Sequence, residues 1–88
     1  MSSEETYLEF PCDFPIKAMG VADSDFEALV VSLVRKHAPD LGEAAVKSRD
    51  SKGGKYLSVT VTVTATSKEQ LDNIYLELNA SERVVMTL

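Results

Sequence analysis

Between Tyr56 and Ala65 the chain alternates without a slip. Leu57, Val59, Val61, Val63 and Ala65 share one parity, and Tyr56, Ser58, Thr60, Thr62 and Thr64 the other. A period of two sends the two sets to opposite faces of a strand, and β-branched residues on both faces suit a long central one. Three weaker segments carry the same period. Residues 10–20 read as an entry turn and a strand, with Phe14, Ile16 and Ala18 on one face, Lys17 and Met19 on the other, and Gly20 ending it. Residues 43–50 have Val46 as their one large apolar residue, and their Lys47 and Arg49 suit a sheet edge. After the turn cluster at 50–54, the last strand is expected over 83–88, with Val84, Met86 and Leu88 on one face.

Two segments change period. Phe26, Leu29, Val30, Leu33, Val34 and His37 recur at helical intervals, and Ser24 with Glu27 three positions on has capping-box spacing. Pro39 disfavours helical geometry at Ala38, and Arg35, Lys36 and His37 place cations where the helix dipole favours them, so a helix is predicted over 24–38. Ser67 with Gln70 repeats the capping spacing ahead of Leu71, Ile74, Tyr75 and Leu78, and Asn79 is expected as a left-handed stop. The order strand, helix, strand, strand, helix, strand closes into an α+β sandwich, a four-stranded antiparallel sheet with both helices on one face. Its helix-facing set is expected to be Ile16, Ala18, Leu57, Val59, Val61, Val63, Val84 and Met86. The other face, left open, would carry Lys17, Met19, Tyr56, Ser58, Thr60, Thr62, Val85 and Thr87.

Composition adds limits to this picture. The 88 residues suit one domain, read here as residues 10–88 behind a flexible acidic tail at 1–9. That tail lacks the positive start and apolar centre of an export signal, no apolar run is long enough to span a bilayer, and a single cysteine fits a reducing compartment. A cytoplasmic location with no membrane contact is the expectation. The net charge of −5 and a pI of about 4.7 disfavour phosphate backbones, yet Lys47, Arg49, Lys52 and Lys55 make residues 47–55 locally basic. Catalytic signals are thin. His37 and Cys12 stand in different elements with no acid spaced to complete a triad, and no cluster has metal-ligand spacing. No enzyme, cofactor or metal is expected. The RNA-recognition motif shares the element order, but it needs aromatic residues on both central strands. Here Tyr56 stands alone, with Gly54 where another ring is needed, so no nucleic acid is expected either.

The stretches FPCDFPIKAMG at 10–20, RKHAPD at 35–40, SKGGKYLSV at 51–59 and VVMTL at 84–88 resemble the YbeD-like family of small bacterial proteins, in the same order and at similar spacing. The resemblance implies a ferredoxin-like fold, similar to that of ACT regulatory domains, and a neighbourhood in lipoate metabolism. Two uses of the fold follow. One is a regulatory or adaptor module that binds a protein partner, or a second copy of itself as a homodimer, through Met19, Tyr56, Thr60 and Thr62 on the open face. The other is an ACT-like sensor of a small anionic metabolite, with Lys17 and Arg49 or Arg83 supplying charge and Gly20 shaping the pocket. The turn after Gly20 lacks the proline typical of ACT ligand loops.

Overall fold

The structure, a computed structural model, describes residues 9–88. The acidic segment read as a tail falls, through residue 8, outside them. The elements follow the expected order: β1 (Cys12–Val21), α1 (Phe26–Arg35), β2 (Val46–Asp50), β3 (Tyr56–Ala65), α2 (Lys68–Asn79) and β4 (Val84–Thr87). The sheet runs β2-β3-β1-β4 and is antiparallel throughout. β1 and β3 pair along all ten residues, from Cys12 opposite Ala65 to Val21 opposite Tyr56, and form its centre.

Both helices lie against one face. Phe26, Val30 and Val34 of α1 and Ile74 and Leu78 of α2 are completely buried against Ile16, Ala18, Val59 and Val61. Burying a side chain of this size stabilises by about 1.5–3 kcal/mol, so these two stripes and the even parity of β1 hold the layers together. Leu57, Val63 and Ala65 lie on the same side as expected.

Four details depart from the sequence reading. Helix α1 spans ten residues, starting at Phe26 and ending at Arg35, rather than 24–38, and the Ser24–Glu27 box does not form at its start. Asp25, the N-cap residue, makes no side-chain cap bond and instead accepts from Arg83, while Glu27 accepts a hydrogen bond from Ser48 on β2. At the other end Arg35 donates through Nε and Nη2 to the Leu41 carbonyl, at 3.1 and 2.9 Å, and folds the connection back beneath the helix. The weak strand is shorter too, since Glu43–Ala45 winds into one 3-10 turn before β2 begins. Helix α2 ends without a left-handed residue: Asn79 is still helical and Ala80 keeps right-handed geometry. In β4 the register shifts between Met19 and Gly20, where Met86 pairs with Met19 but Val84 pairs with Gly20. Val85 is the extra residue of a β-bulge, and beyond it the alternation changes parity. Met86 therefore faces the open side, and Thr87, opposite the buried Ala18, faces the helices.

Candidate functional site

Antiparallel pairing fixes which side chains share the open face. In one row across the four strands stand Lys47, Thr60, Lys17 and, past the end of β4, Leu88, whose amide and carbonyl exchange hydrogen bonds with Lys17 at 2.9 and 3.1 Å. The next row holds Arg49, Ser58, Met19 and Met86. Tyr56 lies opposite Val21 beyond that row, and Thr62 lies opposite Pro15 on the other side. The far end carries Asp13, which accepts a hydrogen bond from Thr64 at 3.2 Å. No element of the described residues covers this face. Val21, Met86 and Leu88 are 50%, 50% and 66% exposed, a large apolar share for solvent. At one end Met19, Arg49, Asp50, Ser51, Lys52, Tyr56 and Ser58 line a shallow concavity of about 300 Å³, with the Lys55 ammonium 5.6 Å from the Tyr56 ring centre.

Of the eight residues singled out in the sequence, six meet here: Lys17, Met19, Arg49, Tyr56, Thr60 and Thr62. Gly20 and Arg83 do not. Gly20 is buried on the helical side, and a Cβ there would run into the Arg83 carbonyl and the Phe26 ring. The Arg83 guanidinium binds Asp25 at 2.7 Å and Asp23 at 3.3 Å, tying the turn after β1 to the start of β4. That pairing holds the Asp25 carboxyl below the usual carboxylate range, chiefly through the hydrogen bond and then through the charge. An arginine so engaged has two carboxylates already competing with any anion. Lys47, Val21, Met86 and Leu88 belong to the face and were missed. For Lys47 the signal existed, since it alternates with Arg49, whereas Met86 was hidden by the bulge.

A family model described as "Protein of unknown function (DUF493)" matches residues 5–88. The chain belongs to the DUF493 family. Relatives of this DUF493 member include a UPF0250 protein of Chromobacterium violaceum, 52% identical over 89 residues and covering 100% of both chains. Another, from Nitrosomonas europaea, is 44% identical over 86 residues, covering 98% of this chain and 99% of its own. These matches agree with the resemblance to YbeD-like small bacterial proteins. Among solved structures, the solution structure of protein HP0495 from H. pylori superposes with a TM-score of 0.70 at 18% identity, covering 92% of this chain and 85% of that one. It shares the ferredoxin-like fold.

The remaining chemistry-bearing groups of this DUF493 member are absorbed in packing. His37 Nε2 and Lys36 Nζ both reach Glu77 at 3.1 Å, joining the end of α1 to α2. The hydrogen bond to His37, and next that to Lys36, pull the Glu77 carboxyl below its ordinary value. Cys12 is half-buried against the core at the start of β1. Among the described residues no three histidine, cysteine or carboxylate side chains gather to hold a metal, and no helix is long and apolar enough to cross a membrane. Tyr75 donates to the Leu88 carbonyl at 3.1 Å, and burial raises its phenol.

Proposed function

We propose that this DUF493 member is a non-catalytic binding module that holds a protein partner on the open sheet face. One observation carries the reading: the face sets exposed Met86, Leu88 and Val21 beside Lys17, Lys47 and Arg49, with nothing among the described residues covering them. Apolar side chains flanked by charges are what a protein interface asks of a surface, and rigid strands hold them at fixed spacing. The lone histidine supports the same reading, because Glu77 and the helix ends already engage it. The test is Thr60→Arg, at the middle of the face between Lys17 and Lys47. Tagged chain recovered from the native cell should lose its co-purifying partner at least tenfold, with an unchanged melting temperature. Unchanged recovery would sink the reading.

A second reading, the sensor of a small anionic metabolite, draws on the concavity lined by Arg49, Lys52, Tyr56 and Met19. Amide-resolved NMR with pooled metabolites separates the two readings. Saturable shifts at Tyr56 and Ser58 without any other protein would favour the sensor, and a silent spectrum the partner module.

A further inference from the structure

The open face is divided. Three cations stand on it: Lys47 of β2 and Lys17 of β1 flank Thr60, and Arg49 of β2 lies one row away beside Ser58. Strand spacing puts Lys47 and Lys17 roughly 10 Å apart, a span over which one extended segment can meet both. On the β4 side the same two rows end in Met19, Met86 and Leu88. No carboxylate stands in either row. Among the described residues none of these three cations has an acidic partner, while Lys36, His37, Lys68 and Arg83 take theirs on the helical layer or at the turn after β1. Within a chain of net charge −5, the described residues thus leave Lys17, Lys47 and Arg49 without an acidic partner on a sheet face that none of their elements covers.

That division selects the occupant. A second copy stacked face on face would present the same three cations, with only Asp13 at the far end and Asp50 at the rim of the concavity to answer them, so it sets more like charge than opposite charge against this face. A nucleic acid would find no stacking platform on this face, since Tyr56 is half-buried with the Lys55 ammonium above its ring. A polypeptide with carboxylates beside apolar side chains meets both halves. Resting on the reading of this face as a binding surface, we infer that it takes an acidic amphipathic segment of a partner protein. Its carboxylates lie over Lys17, Lys47 and Arg49, and its apolar side chains over Met19, Met86 and Leu88.

The experiment places the photo-crosslinker p-benzoylphenylalanine at Thr62, and separately at Thr64, in the full chain expressed in its native cell. Both positions are exposed on the face, Thr62 next to the row of Lys47, Thr60 and Lys17 and Thr64 one step farther toward Asp13. After irradiation the crosslinked peptide is sequenced by mass spectrometry. The expected product is a partner segment with more acids than bases. Its yield should drop at least fivefold in Lys47→Glu/Arg49→Glu and return in Lys47→Arg/Arg49→Lys, with circular dichroism unchanged in all. A partner segment without acidic surplus, or a yield indifferent to charge reversal, overturns the inference and leaves the binding reading standing. A crosslink to a second copy or to nucleic acid overturns the inference and moves the binding reading to another occupant. No crosslink from either position removes both.

Discussion

Gly20 has no room for a side chain: the Phe26 ring and the Arg83 carbonyl occupy the place a Cβ would take. The sequence reading gave this glycine to a ligand loop, but the structure gives it to packing, where its small size lets α1 settle onto β1 at the point where β4 begins. One neighbour is backbone, which yields less readily than the end of a flexible side chain. Gly20→Ala should therefore cost about 1–3 kcal/mol, as overpacking of a filled core does, read as a lower urea midpoint at unchanged slope. Ala22, two residues on and half-buried, gives the contrast, and its substitution by Ser should leave the midpoint nearly unmoved. Arg83 teaches a related lesson. Its charge was visible in the sequence, but its engagement by Asp23 and Asp25, some sixty positions away, required the fold.

At the scale of elements, identical spacing produced two different outcomes. Ser67 caps α2 as its sequence suggests, its Oγ accepting from the Gln70 amide at 3.0 Å, while Gln70 Oε1 accepts from the Thr66 amide at 2.7 Å. Ser24 and Glu27, with the same interval, form no box, because Ser48 claims Glu27 and the chain turns at Asp23 before the helix begins. Capping is a local signal, and longer-range partners outcompete it. Ser67→Ala should destabilise by about 1 kcal/mol in thermal or urea unfolding, and Ser24→Ala by a few tenths at most. The strands divide in the same way. The uninterrupted alternation of β3 was legible in full, since each residue there obeys one period. The short β4 was legible as a strand but not in its facing, because one unpaired residue, Val85, resets the parity and no composition marks it. That single residue hid Met86 from the candidate set and placed Thr87 on the wrong side.

For the molecule as a whole, the layer arrangement followed from period and order alone. The site was legible only in outline. Period two named the residues of β1 and β3, but which side chains of β2 and β4 join them depends on pairing across the sheet. The ion pairs, in turn, make stability depend on pH. Asp25 and Glu77 have folded values below their ordinary 3.8 and 4.5, so above 4.5 both are charged in either state and their contribution is fully present. As pH falls through that range the unfolded chain binds protons first, and the contribution is lost as pH drops through the depressed folded values. The urea midpoint should stay level from pH 7 to about 5 with respect to these groups and decline below it. In the double variant Asp25→Asn/Glu77→Gln it should start lower and decline less steeply.

The separation of charge between the two sides has a kinetic meaning. The helical layer carries Glu27, Glu69, Asp72 and Glu77 against Arg35, Lys36 and Lys68, and the charged residues in the central rows of the sheet are all cations. These described residues contribute a dipole component pointing from the helices toward the sheet, and an approaching negative charge exerts a torque on it. If the face takes the acidic segment proposed for it, the molecule would be turned sheet-first during encounter, before any contact forms, and added salt would shorten the distance over which that turning acts. Under that proposal its orientation on arrival would be decided in solution, and the apolar strip beside the cations would have only to complete a docking already aimed.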